Sequence, residues 1–167
     1  LVALAASLPL GLILSFGSMS KFKPLSMLTR GFVWVIRGTP LMLQIIVFSL
    51  GPGLWLGIPI RSEAQQLMMV CVAFTVNYSC YFSEIYRGGI ESMPVGQYEA
   101  ANVLGYTKWQ TFFYIILPQV VKRIMPSITN EVVTLVKDTS IAFTVSYQEM
   151  FTIGKQIANS QTSFTPF

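Results

Sequence analysis

Three groups of polar side chains stand out in an otherwise apolar chain. Asn77, Tyr81, Glu84 and Gly88 follow one another at spacings of four, three and four, which on a helix places them in one stripe. Arg123, Ser127 and Glu131 recur every four residues. Lys137-Asp138-Thr139-Ser140 sets two charges beside two hydroxyls. Such groups bind ions and dipoles; they do not assemble a hydrolytic or redox centre. The sequence has no His, which removes histidine acid–base catalysis and histidine metal ligands. The carboxylates are not clustered, and no metal site or cofactor is expected. Cys71 and Cys80 are nine residues apart, about two and a half helical turns, hence on opposite faces. They read as small buried hydrophobes, not as a disulfide or metal pair.

The elements that must hold these groups are dictated by composition. Hydrophobic residues make up 53% of the 167-residue chain and charged residues 11%, where soluble domains carry about 25% charged. The reading is an all-α, polytopic membrane protein, a bundle of transmembrane helices. A spanning helix needs about 20 mostly apolar residues, and approximate spans are expected at residues 1–19, 27–50, 64–86 and 112–136. Gly51-Pro52-Gly53 should end the second, and Glu84, Arg87, Gly88 and Gly89 should close the third. Pro118 and Pro126 interrupt the fourth, which is tolerated where the freed carbonyls face protein or water. The uncharged start leads into Lys21 and Lys23, the reverse of a signal peptide, so it reads as a genuine span. Both ends look internal to a longer protein.

Basic residues orient the spans. The first connection holds Lys21, Lys23 and Arg30 without an acid, the second Arg61 with Glu63, and the third Arg87 and Lys108. The first and third connections are expected on the cytoplasmic side. Trp34, Trp55 and Trp109 lie near span ends, as interfacial anchors do.

Ionisable groups within a membrane cost at least about 2.5–3.5 kcal/mol each, so they face protein or a water-filled path. Asn77 fits either a translocation path or interhelical hydrogen bonding. Glu84 and Arg87, at the cytoplasmic end, fit a structural pair better than a path. The Arg123–Ser127–Glu131 stripe fits a cavity lining, or else a half-inserted interfacial helix.

The third connection carries helix punctuation. Pro94 suits the first helical position and Gly105 the left-handed position past the end. A helix over 94–104 would be about 16 Å long, too short to span, and would lie on the cytoplasmic face. Ala100 and Ala101 would admit another backbone closely.

Glu99-Ala100-Ala101, then Gly105, then Ile115, Leu117 and Pro118 resembles the EAA signature of ABC-importer permeases. Arg37-Gly38-Thr39-Pro40-Leu41, Glu84-Ile85-Tyr86-Arg87-Gly88-Gly89-Ile90, Asn130-Glu131 and Lys137-Asp138-Thr139-Ser140 are similar to segments of the polar-amino-acid permeases of type I importers. Glu149-Met150-Phe151-Thr152 departs from that pattern. The resemblance implies a single transmembrane domain over 1–167 with a fifth span to follow. It implies a coupling helix around Glu99, Ala100, Ala101 and Gly105 that docks on a cytoplasmic ABC ATPase dimer. A second permease subunit, an extracytoplasmic binding protein, membrane lipid and an amino-acid substrate complete the expected partners; nucleic acid is not among them. The expected place is the bacterial cytoplasmic membrane.

An amino acid is a zwitterion, whose ammonium needs a carboxylate and whose carboxylate needs cations or N–H and O–H donors. Substrate-path candidates are Arg37, Asn77, Glu84, Glu131, Asp138, Thr139 and Ser140. The chain contains no G-x-x-x-x-G-K-[ST] phosphate loop, so a partner must hydrolyse ATP. The rival readings are an ion-gradient-driven secondary transporter and, more remotely, a membrane-embedded enzyme.

Overall fold

The computed structural model describes residues 1–57 and 62–145. The Glu149–Thr152 segment, the expected external stretch beyond residue 145, and Arg61 of the second connection lie outside the described residues. The described residues form helices only: α1 (Val2–Ser18), α2 (Lys23–Arg37), α3 (Leu41–Leu56), α4 (Glu63–Glu91), α5 (Val95–Val103) and α6 (Lys108–Gln110). A π-helical stretch, Thr111–Ile116, then leads into α7 (Leu117–Asp138), and a 3-10 turn, Thr139–Val145, follows.

On α1 the packing is inverted relative to a helix of a water-soluble protein. The residues that α1 buries are Ala3, Ser7, Gly11, Ser15 and Ser18, a small-residue stripe at helical spacing that lets backbones approach. A Cβ added at Gly11 would lie 2.8 Å from Phe82 Cβ and 3.0 Å from the Ser79 carbonyl oxygen, so α1 and α4 nearly touch there. Meanwhile Ile13, Phe16, Leu43, Val47 and Leu50 point outward. On α1 small groups are spent against α4 and large apolar ones face out, as expected where the surroundings are lipid, while Ile45, Phe74, Phe82 and Ile116 form an apolar core between the other helices.

α4 is the axis of the bundle, packed against α1, α2, α3 and α7. It starts at a capping box: Ser62 Oγ accepts from the Gln65 N–H and the Gln65 side chain accepts from the Ser62 N–H, satisfying two end groups reciprocally. Its 29 residues extend about 43 Å. The charges from Glu84 onward close the uncharged run, but the helix itself runs through Gly88-Gly89 to Glu91. Gly89 is where α7 crosses, so close that a Cβ would collide with Ile124 Cγ2. That glycine serves a helix contact rather than a stop.

The expected second span over 27–50 is two helices, α2 and α3, bent by 102°. Pro40 has no N–H and holds Thr39 out of the helical region. The Gln44 amide closes the break by donating to the carbonyls of Ile36 (2.8 Å) and Thr39 (3.1 Å) and to Thr39 Oγ1 (2.9 Å). Nor does Gly51-Pro52-Gly53 end the helix. The Trp55 ring lies over Gly51, 3.0 Å from where a Cβ would sit, and α3 ends instead at Gly57, with φ +64°.

No single helix among the described residues is long and apolar enough to cross a membrane; Lys23–Arg37 and Leu41–Trp55 reach that length and composition only when counted together across their 102° bend. α4 has the length, and its polar groups Asn77, Ser79 and Ser83 are buried. α7 continues a helix begun at Lys108. The π turn ahead of Pro118, in which the Leu117 N–H reaches back to the Phe112 carbonyl, adjusts the ladder just before the ring that cannot donate.

Candidate functional site: a short exposed helix and the polar seam of α4

α5 is built to stop. Pro94 is its N-cap, one place ahead of the expected first helical position. Past its last turn, the Tyr106 N–H reaches the Ala101 carbonyl and the Gly105 N–H the Asn102 carbonyl, both at 3.0 Å, with Gly105 at φ +77°. This double closure is a Schellman motif, and only glycine enters it without strain. Glu99 and Ala100 are exposed, whereas Ala101 is fully buried against its own chain. Val95, Val103 and Leu104 stand at 69%, 87% and 73% exposure. The outward side of α5 is thus an acid, a small residue and an apolar tip.

α5 is also tied to α7. Gln119 Nε2 donates to Gln97 Oε1 at 3.1 Å, and Arg123 Nη1 donates to the Ser92 carbonyl at 2.7 Å and to Ser92 Oγ at 3.0 Å. Ser92 caps the C-terminus of α4, where carbonyls lack helical partners and a cation is favoured. Arg123 therefore joins α7 to the hinge between α4 and α5. It does not stand with Glu131, which is half-buried two turns further along α7.

The stripe on α4 is occupied residue by residue. Asn77 Nδ2 donates to Gln44 Oε1 at 3.0 Å in a buried setting, so the amide that mends the α2–α3 break is itself held by α4. Arg37 lies 5.0 Å from the Tyr81 ring centroid, within cation–π reach, and 3.7 Å from Glu84 Oε2. Glu84 accepts two bonds from Arg87, at 3.2 Å and 2.6 Å, and Arg87 also donates to Glu91 at 2.6 Å. Glu84 and Arg87 form the pair their position favoured, extended to Arg37 and Glu91.

At the far end of α7, Asp138 Oδ2 accepts from the Tyr78 hydroxyl at 2.8 Å. Thr139 Oγ1 and Ser140 Oγ turn back to the carbonyls of Val136 and Lys137. Arg37, Asn77 and Glu84 are thus brought together on one side of α4, and Asp138 is brought to its neighbour Tyr78. Thr139 and Ser140 follow Asp138 in the chain but spend their hydroxyls locally. Two contributors were missed in sequence, Gln44 and Tyr78. Gln44, a lone amide in an apolar run four residues after Pro40, carried a signal; Tyr78 carried none beyond its adjacency to Asn77.

An all-helical bundle with outward apolar faces, a buried polar seam and a short exposed helix is the architecture of a membrane transport subunit. Residues 7–166 match the family of binding-protein-dependent transport system inner membrane components, and the chain belongs to that family. It is 37% identical to the L-cystine transport system permease protein TcyB of Bacillus subtilis over 89% of this chain and 61% of that one. It is 32% identical to the nopaline transport system permease protein NocM of Agrobacterium fabrum over 98% of this chain and 68% of that one. The chain spans about two thirds of the length of these relatives. A solved structure of an amino acid ABC transporter with histidines superposes with a TM-score of 0.83 at 29% identity, covering 99% of this chain and 75% of that chain.

Proposed function

We propose that this chain is the permease subunit of an ATP-driven importer for polar amino acids, conducting substrate by alternating access. α1, α3, α4 and the continuous α6–α7 helix are its spans in this reading, in the multi-pass topology of a bacterial cytoplasmic membrane. α5 lies beneath them and seats in a groove of a cytoplasmic ABC ATPase. Two such ATPases, a second permease subunit of the same or related sequence, and an extracytoplasmic binding protein complete the assembly. The chain itself does not hydrolyse ATP.

The observation that supports this best is α5: nine residues, sharply stopped, with an exposed side of Glu99, Ala100, Val103 and the capping Leu104, one polar tie to α7 from Gln97 to Gln119, and a second from Arg123 to Ser92 in the turn ahead of it. A helix of this length has no use within the bilayer. Its outward apolar tip calls for a groove, and its ties pass a displacement of α5 to a membrane helix. The relatives' names, L-cystine and nopaline among them, support an amino-acid or amino-acid-derived substrate.

The test is site-directed cross-linking in the intact transporter. Ala100→Cys, on the exposed side, is expected to capture the ATPase subunit, while a cysteine at buried Ala101 is not. Failure of every exposed α5 position to reach a nucleotide-binding subunit would remove the ATP-driven reading and leave the ion-coupled one.

A further inference from the structure

α2 presents its apolar side outward: Met27, Leu28 and Trp34 are 80%, 73% and 78% exposed, and Val33 alone is buried. The helix is bent 102° from α3, so the two cannot both run along the membrane normal. Beside this face lies an open groove of about 710 Å³ lined by Lys23, Ser26, Met27, Arg30 and Trp34. Its charge is of one sign. The first acidic residue of the chain is Glu63, and Lys21, Lys23 and Arg30 take part in no ion pair among the described residues. Arg30 spends only its Nε, on the Ser18 carbonyl at the end of α1 (3.0 Å), which Ser26 Oγ also meets at 2.7 Å. Glu84 shares a neighbouring cleft with Arg30 but is committed to Arg87 and Arg37.

We propose that the α1–α2 junction is a binding site for an anionic phospholipid, whose phosphate sits among Lys21, Lys23 and Arg30 and whose acyl chains lie along Met27, Leu28 and Trp34. Charge complementarity selects this occupant. A second copy of the chain would bring the same three cations to the groove and repel, whereas lipid supplies acyl chains and a negative headgroup together. A helix of this amphipathic kind lies in the interface, and unopposed basic groups at its cytoplasmic edge attract anionic headgroups. The inference rests on the membrane placement proposed above and is independent of ATP coupling.

The test uses the whole transporter in phosphatidylcholine vesicles doped with a photoactivatable phospholipid, as phosphatidylglycerol in one arm and phosphatidylcholine in the other. Labelled peptides are mapped by mass spectrometry. The peptide spanning residues 24–35 is expected to be labelled at least about fivefold more from phosphatidylglycerol, the effect of one basic group at such a surface. In the Lys21→Gln/Lys23→Gln/Arg30→Gln variant, which removes all three cations, the ratio is expected to fall toward one while labelling from phosphatidylcholine is retained, which shows the fold intact. Equal labelling from both headgroups in the unsubstituted protein overturns the proposal, as does absence of label from both, the result expected if a second subunit covers the groove. Labelling of α1 and α3 around Ile13 and Val47 is the internal reference; its absence would defeat the membrane placement instead.

Discussion

Arg123 on α7 holds Ser92 by two acceptors, its carbonyl and its hydroxyl, from a single Nη1 at 2.7 and 3.0 Å. Ser92 is where α4 ends and the turn into α5 begins. In the proposed ATP-coupled reading, a load on α5 would reach α7 through this contact without passing through residues 104–116. Exposed charge-assisted bonds of this kind contribute roughly 1 kcal/mol, about fivefold in an equilibrium. Arg123→Gln is expected to lower amino-acid uptake per ATP hydrolysed about fivefold in reconstituted transporter, with Arg123→Lys intermediate. A merely structural role would lower uptake and hydrolysis together and leave their ratio unchanged.

The crossing of α4 and α7 depends on the missing side chain of Gly89, whose Cβ would meet Ile124 Cγ2 and, at 3.3 Å, Val120 Cγ1. Gly89→Ala is expected to destabilise by roughly 1–3 kcal/mol, the range for overpacking a tight contact. Gly88, one residue earlier, has nothing within 4 Å of the same position. Gly88→Ala should be neutral or stabilising by up to about 1 kcal/mol, since alanine is the better helix former. Thermal unfolding of the purified complex compares the two; an equal loss of Tm in both would show that the crossing is not this tight.

Glu84 is shared by Arg87 at 2.6 Å and Arg37 at 3.7 Å, and all three are partly exposed. Screening holds each pair near the low end for ion pairs, about 1 kcal/mol or less. Removing the acid leaves two guanidinium groups facing each other, so Glu84→Gln is expected to destabilise more than Arg87→Gln. The double variant should recover part of the sum, as groups in one network are not additive. Tm values of the three proteins supply the cycle, and strict additivity would show that the pair is not coupled.

What could be read in the chain before its fold depended on how local each feature is. The Pro94 to Gly105 punctuation foretold a short helix, because capping is settled within a few residues; α5 is Val95–Val103. Glu84 and Arg87, three apart on one helix, were likewise legible as a pair. The bend at Gly38–Pro40 was written in Pro40, yet apolarity on both sides outweighed it in a reading that sought about 20 continuous residues. Gln44 mends that bend only once the chain has turned, and it meets Asn77 33 residues away, a relation with no local signature. The stripe Ala3, Ser7, Gly11, Ser15 had a plain spacing of four. An uncharged run says nothing of such a stripe, and its role as a backbone-to-backbone seam emerged with α4 beside it. Asp138 was singled out for its charge, but its partner Tyr78 lies 60 residues back among aromatics that read as core.

That last pairing decides how Asp138 can act on a substrate. Its Oδ2 already accepts the Tyr78 hydroxyl at 2.8 Å, so an arriving ammonium must share that carboxylate or displace the phenol. If Asp138 is the ammonium contact, Tyr78 is a competitor, and deleting its hydroxyl strengthens substrate binding. A hydrogen bond to a carboxylate contributes roughly 1.5 kcal/mol, which sets about tenfold as the ceiling of the effect. Tyr78→Phe is then expected to lower KM for uptake, by up to about tenfold, with little loss of assembly because the ring and its stacking against Phe74 are kept. Asp138→Lys, which presents a like charge to the ammonium, should abolish uptake while leaving the protein in the membrane. A purely structural bond between α4 and α7 predicts the reverse pattern: Tyr78→Phe and Asp138→Asn would both lower Tm, with KM unmoved. Uptake kinetics and unfolding measured on the same preparations separate the two roles, because only a competitor's removal improves affinity.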